Sequence, residues 1–427
     1  MLLRLSSPLA LLLLLVCSGC KSTPQRPSPA LAPSTDPATQ LMSGEAWIEY
    51  CERIQAAGLL ILGDDFPGSE AERAAGFRHL ARTVSMGLQW EVDFADADFP
   101  AFYRHNDDVT KWGGPNVDNG YLRARIDGTQ TYRLTGQLGT IEDLIISTSN
   151  GDMHDGRLSV AGDFDSSQLA LDEDGGFELL IGPDVDPETG IRTPPDHVQL
   201  GIRQYFNDWE TESPAIFHIE RVGAQGRVPA EPTPASMALR LDAAATWVER
   251  VIPFWNTWMQ QRSQVMTVNR LGPPMNVPGG SSDIFYGGGR FELEEDEALI
   301  IETTPPDARY WSFQWYTDGW FESPDFGNRQ SSLNGTQTRV DPDGRIRIVV
   351  ARRDPGVQNW IDVGGQRAGL LNYRWIWSTD APTPSAEVVP LGELRAHLPA
   401  QTPPFSIEDR ARQIDIRRRH VERRFRR

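Results

Sequence analysis

Beyond Trp90 the chain is written as short runs of alternating apolar and polar residues, broken repeatedly by Asp-Gly, Asn-Gly and Gly-Gly pairs. That texture constrains the fold more than any other feature. Alternation has the period of a strand, and Gly-containing pairs supply the backbone freedom that tight turns need. Residues 121–126 and 129–134 flank Asp127-Gly128 and predict a hairpin, residues 177–181 follow a turn over 172–176, and 215–221 is a further strand. A Pro-rich joint at 228–234 leads into a helix over 236–252, which Pro253 interrupts. The stretch 271–289 reads as loop ending in Gly287-Gly288-Gly289, and strands resume at 298–302, 310–316, 345–351 and 370–377. The expected class is mainly β with flanking helices, arranged as two β-rich domains.

The segment before Trp90 is helical in pattern. Ser43 can cap a helix with Trp47, Cys51 and Ile54 on one face and Gly58 at its end, which makes Cys51 a buried thiol. Ser69 and Glu72 form a capping box for a second helix, with Phe77, Leu80, Val84 and Leu88 as its stripe.

The first residues carry an address. Arg4, an apolar run over 9–16 and Cys17-Ser18-Gly19-Cys20 make a signal peptide whose apolar part is too short to span a bilayer. Ser18 and Gly19 before Cys20 resemble a bacterial lipobox, with Cys17 where Leu is usual. Cleavage before Cys20 and acylation of its sulfur would give the chain a membrane partner. Lys21, in place of Asp, favours the periplasmic side of the outer membrane. Residues 20–42 then form a Pro-rich tether able to reach roughly 60 Å at ~3.1 Å per residue. The full expectation is a signal peptide over 1–19, the tether, an α+β domain over 43–230, a β-sandwich domain over 231–404 and a basic helix over 405–427. With Cys20 acylated, Cys51 has no partner for an internal disulfide.

Net charge is −18, which repels nucleic acid and excludes it as a main partner. The exception is the end of the chain, where nine arginines fall between Arg410 and Arg427. Ser406 and Asp409 cap a helix there, and Ile407, Ala411, Ile414, Val421 and Phe425 form a thin apolar stripe that suits docking on the acidic body or on an anionic surface. Established catalytic signatures are absent: no Gly-x-Ser-x-Gly, phosphate loop, dinucleotide fingerprint or His-Glu-x-x-His. The seven histidines never fall at ligand spacing, so neither a metal nor a cofactor is expected.

Aromatic residues are the most distinctive chemistry. Trp311, Phe313 and Trp315 share one strand face, as do Tyr373, Trp375 and Trp377. Such faces serve either a sandwich core or a stacking platform for a sugar or another flat ligand. The loops beyond them bring polar groups. Trp320, Arg329, Asn359, Trp360 and Arg374 are the candidate ligand-binding residues, the arginines as carboxylate or sulfate clamps or as internal salt bridges. Glu322, Asp325 and Asp362 are candidate catalytic carboxylates for a glycosidic bond.

Several of these stretches also carry a family likeness. Asp296-Glu297-Ala298-Leu299, Pro305-Pro306-Asp307-Ala308-Arg309-Tyr310-Trp311-Ser312-Phe313-Gln314, residues 354–362 and Tyr373-Arg374-Trp375 resemble the domain of unknown function 1214. Trp112-Gly113-Gly114-Pro115-Asn116 and Tyr132-Arg133-Leu134-Thr135-Gly136 look like the N-terminal half that accompanies it. The resemblance implies a jelly-roll-like β-sandwich for the C-terminal half and no settled activity. Gln366 stands where the family often has histidine, so no proton-transfer role is carried to that position. The functional expectation is an envelope lipoprotein binding a glycan or other small ligand through an aromatic-lined rim. The alternatives are a carbohydrate-active hydrolase or lyase using the loop carboxylates, and an envelope scaffold; whether the chain is an enzyme stays open.

Overall fold

The computed structural model describes residues 35–276, 281 and 283–426. The signal peptide, Cys20 and most of the tether lie outside them. The architecture is mainly β, with four sheets and a few helices.

Helix begins earlier than the tether reading expects. Asp36 accepts from Thr39 N–H and Pro37 takes the first helical position, so α1 spans Pro37–Ser43 before Gly44 turns the chain at φ +83°. α2 (Glu45–Leu60) buries Ala46, Tyr50 and Ala57, one position away from the expected stripe, and leaves Trp47 and Cys51 exposed. Gly58 sits inside it, where Leu80 approaches to within 3.0 Å of any added Cβ. α3 (Glu70–Leu88) starts on the Ser69–Glu72 capping box; Phe77 is largely exposed, and Gly76 and His79 are buried instead.

The N-terminal half is a sandwich of two sheets. Its strands are β1 (Asn119–Arg125), β2 (Tyr132–Gln137), β3 (Asp143–Ser149), β4 (Val160–Asp165), β5 (Gly176–Gly182), β6 (Ile191–Arg192), β7 (Gln199–Tyr205) and β8 (Ile216–Arg221). One sheet runs β1-β7-β3-β4 and the other β6-β5-β2-β8. Leu144, Ile146, Leu200 and Ile202 of the first pack on Tyr132, Leu134, Leu179 and Ile181 of the second. The expected hairpin about Asp127-Gly128 does not form. Ile126 and Gly128 donate to the carbonyls of Val198 and His197, which carries the chain past the end of β7 and across to the other sheet. Gly is required at that crossing, because a Cβ at 128 would lie 2.1 Å from the Pro194 carbonyl oxygen.

α4 (Pro234–Val265) joins the halves and runs unbroken through Pro253. Proline removes one hydrogen bond to the carbonyl four residues back, here Glu249. Burial of Val251, Ile252 and Trp255 on either side offsets that loss. Arg53 ties α2 to α4 by ion pairs with Asp242 and Glu249.

The C-terminal half repeats the two-sheet plan with β9 (Met275–Asn276), β10 (Ile284–Glu292), β11 (Glu297–Thr303), β12 (Ala308–Tyr316), β13 (Ser332–Asn334), β14 (Ile346–Ala351), β15 (Trp360–Asp362), β16 (Ala368–Ser378) and β17 (Ser385–Pro390). The sheets are β13-β12-β16-β10-β9 and β15-β14-β11-β17, and the chain crosses repeatedly between them as in a jelly roll. Gly287-Gly288-Gly289, read as loop, is the middle of β10, paired with Tyr373, Asn372 and Leu371 of β16. A side chain has no room there: a Cβ at 287 would lie 2.0 Å from the Tyr373 ring. Trp311, Phe313, Trp315, Tyr373 and Trp375 fill the sandwich core against Ile301, Ile348 and Val350.

α5 (Ile407–Phe425) begins on the Ser406–Asp409 capping box and lies along both halves. Only the far end of its apolar stripe packs: Val421 and Phe425 are buried and Ile407 is 84% exposed. The buried face is made of arginines at heptad spacing. Arg410 pairs with Asp354 and donates to the Val357 carbonyl, Arg417 donates to the Phe326 and Ser332 carbonyls and the Ser332 hydroxyl, and Arg424 donates to the Val117 carbonyl. Burial lowers the pKa of Arg417 to about 10 and that of Arg424 to about 9, and both stay charged at neutral pH. No helix among the described residues is long and apolar enough to cross a membrane.

Candidate ligand-binding site

Where the β1-β7-β3 face of one half meets the β16-β10-β9 face of the other, the sheets stand apart and leave a part-open cavity of about 630 Å³. Its side wall is the last turns of α4, through Trp255, Trp258 and Val265, with Leu271 and Met266 nearby. Glycines keep the walls bare. At Gly201 of β7 an added Cβ would meet nothing closer than the Ser147 carbonyl oxygen at 3.8 Å.

Each sheet contributes the same cross-strand pair to this space. Tyr121 on β1 stands opposite Arg203 on β7, and Tyr286 on β10 stands opposite Arg374 on β16. Arg374 is held from behind: its Nη2 donates to the Gly114 carbonyl at 3.0 Å and to the Tyr316 hydroxyl at 2.8 Å. The Tyr316 hydroxyl itself donates to the Gly114 and Pro115 carbonyls, each at 3.0 Å. The turn that offers these carbonyls depends on Gly114, whose φ is +63° and where an added Cβ would lie 2.1 Å from the Phe321 ring. Arg374 Nη1 is buried and has no hydrogen-bond partner among the described residues. Arg203, half-buried, makes no hydrogen bond or ion pair among the described residues.

The charge of the wall runs against that of the protein. Arg123, Arg203, Arg262, Arg270 and Arg374 line the cavity, and the one lining carboxylate is Asp152. Asp152 is spent on Arg123 at 3.1 Å. Burial works against the Asp152 carboxylate, but Arg123, His154, Gln199 and His105 together outweigh it and the net shift is downward. Burial opposes the Arg203 charge, yet the phenolic oxygens of Tyr286, Tyr205 and Tyr121 favour it and raise its pKa overall. Tyr286 and Tyr121 act in the same sense on Arg374. The Tyr121 hydroxyl accepts from the Asn116 N–H at 2.8 Å, and burial raises its pKa, so its proton remains available to donate.

Asp152, His154 and Asp155 bring one ligand atom each to within 4.8 Å of one another. Sequence spacing of the histidines alone overlooked this trio. Arg123 and Arg250 already neutralise its two carboxylates, an arrangement that opposes a bound cation.

Of the residues singled out from sequence, Arg374 alone lines this cavity. Trp320 is 2% exposed and lies against Phe66 and His79, in the space left by Gly76. Glu322 is buried between His79 at 2.8 Å and Arg82 at 2.7 Å, where it joins its loop to α3. Asn359 spends its amide on the backbone of Arg339 and Arg347, and the Trp360 indole donates to the Ala351 carbonyl. Arg329 and Asp362 do meet, as a partly exposed ion pair at 3.0 Å, and Asp325 is exposed and caps Asn328. These groups do not gather on one cleft. Arg203, Tyr121 and Tyr286 were not singled out, and their signal lay in the neighbouring strand glycines, which mark a close approach or a bare wall.

Fold and cavity together define a double β-sandwich protein with a cationic chamber at its seam. Residues 288–379 match the family described as protein of unknown function (DUF1214). An uncharacterised protein from Burkholderia cenocepacia is 35% identical, with 83% of this chain and 99% of that one covered, and superposes with a TM-score of 0.78. The chain belongs to the family of that protein. A protein from Vibrio parahaemolyticus, 13% identical over 74% of this chain and 98% of its own, superposes at 0.42, too low to carry an argument. No curated protein matches.

Proposed function

We propose that this protein is a lipid-anchored envelope protein that binds a small molecule in the chamber between its two sandwiches. One observation carries the binding half of the reading. A space of about 630 Å³ is kept open between two well-packed cores, lined by rings, bare glycine backbone and convergent polar groups. A concave space of this volume, with rings and a few polar groups on its walls, is the kind of place where small ligands bind. The anchoring half rests on the signal pattern that ends at Cys20, whose acylation would place the body on the periplasmic side of the outer membrane.

Native mass spectrometry of protein taken from its source tests both. A small-molecule adduct is expected on the unsubstituted protein and is lost in Gly201→Phe, whose ring would occupy the chamber. Identical spectra for the two overturn the binding reading. Peptide mass spectrometry is expected to find Cys20 at the new N-terminus with acyl mass attached, and an intact Met1 overturns the anchor.

A further inference from the structure

We infer that the chamber selects an organic anion, with an acidic head between Arg203 and Arg374 and an apolar body against Trp255, Trp258 and Met266. This rests on the reading above that the chamber binds a small molecule. Its support is independent of that reading's. A protein with net charge −18 places five arginines and one already neutralised carboxylate around a single part-open cavity. Charges in such a space act through low-dielectric walls and are felt more strongly than on an open surface.

The geometry narrows the choice further. Arg374 is anchored through Nη2 and keeps a buried Nη1 without a partner, and Arg203 makes no hydrogen bond, among the described residues. Buried donors without acceptors are costly, and an anionic oxygen is the group that best relieves them. Tyr121 has a proton to add from the side. Because one arginine comes from each sheet, the head would be gripped by both halves of the protein at once. The α4 side of the wall offers the rings of Trp255 and Trp258 and the side chains of Val265, Met266 and Leu271, which suits an apolar body.

Matched probes test this in the full chain by calorimetry: 2-naphthoate against 2-naphthol, and decanoate against decanol. The acid of a pair is expected to bind at least about tenfold more tightly than its alcohol, as a charge-assisted hydrogen bond implies. Arg203→Gln and Arg374→Gln are each expected to weaken acid binding more than alcohol binding and so erase most of that difference. Arg374 also holds the turn at Gly114, so Arg203→Gln carries the test if the other variant does not fold. Equal affinity of acid and alcohol in the unsubstituted protein overturns the anion inference and leaves the chamber reading standing. Tighter acid binding that Arg203→Gln does not weaken overturns the assignment to this pair. No binding of any of the four probes overturns inference and chamber reading together.

Discussion

The arginines of α5 and those of the chamber are the same side chain put to opposite uses. Arg410 and Arg417 are buried with all three guanidinium nitrogens bonded to carbonyls, a hydroxyl, amide oxygens or a carboxylate of the protein itself. Arg203 is half-buried and makes no hydrogen bond among the described residues, and Arg374, buried, keeps one nitrogen without a partner among them. Spent donors make a brace between two halves. Arginines that line a cavity can instead hold whatever enters it. Neither burial nor a count of satisfied donors alone separates the two roles, since Arg424 of α5 also keeps a buried Nη2 without a partner among the described residues; what sets Arg203 and Arg374 apart is the cavity they line.

The largest test of that distinction is Arg417→Met. It strands the carbonyls of Phe326 and Ser332 inside α5's contact and is expected to cost about 3 kcal/mol in urea denaturation. A loss below about 1 kcal/mol would break the comparison, since a brace must matter to stability.

Glu322→Gln asks whether a buried carboxylate near the seam is also a brace. Burial opposes its charge, but His79 and Arg82 outweigh that and hold its pKa below the ordinary carboxylate range. The substitution is expected to cost about 2 kcal/mol while leaving probe binding in the chamber unchanged. Weakened binding with stability intact would return Glu322 to the list of functional groups.

A pH profile sharpens the picture at the α5 dock. Glu212, whose carbonyl receives Arg423, is buried, and that burial raises its pKa from 4.5 to about 7. The folded state therefore holds a proton that the unfolded chain releases earlier. Its stabilising share is complete at low pH and is lost as pH rises through about 7. Between those values stability is expected to fall by up to about 1.4 kcal/mol per pH unit, and Glu212→Gln should flatten the slope. An unchanged slope in that variant would assign the effect elsewhere.

The smallest expected effect on stability is the most telling. Arg203→Gln should stay within about 0.5 kcal/mol of the unsubstituted protein. A larger destabilisation would make Arg203 a brace after all and remove the contrast.

Much of the fold was legible because its causes are local. The capping boxes at Ser69 and Ser406 need residues three apart, and the strand periods around Trp311 and Trp375 need only alternate neighbours. The aromatic faces left two readings open, and the structure places their rings mostly in the sandwich core. The site was legible only at Arg374. Trp320, Asn359 and Trp360 have the chemistry of a binding rim, but whether such groups face solvent depends on which distant segments cover them: Gly76 and Phe66 for one, Arg339 and Arg347 for another.

What the amino-acid order determined by itself is the kind and position of the elements, since propensity, capping and period act over a few residues. Partner choice belonged to tertiary structure. The strand at Tyr121 pairs with Arg203 across the sheet instead of folding back at Asp127-Gly128, and three glycines become a strand because Tyr373 and the Arg270 carbonyl crowd them. Those pairings are decided by the total burial of two sandwiches, and the chamber with its facing arginines exists only where the two finished surfaces fail to meet.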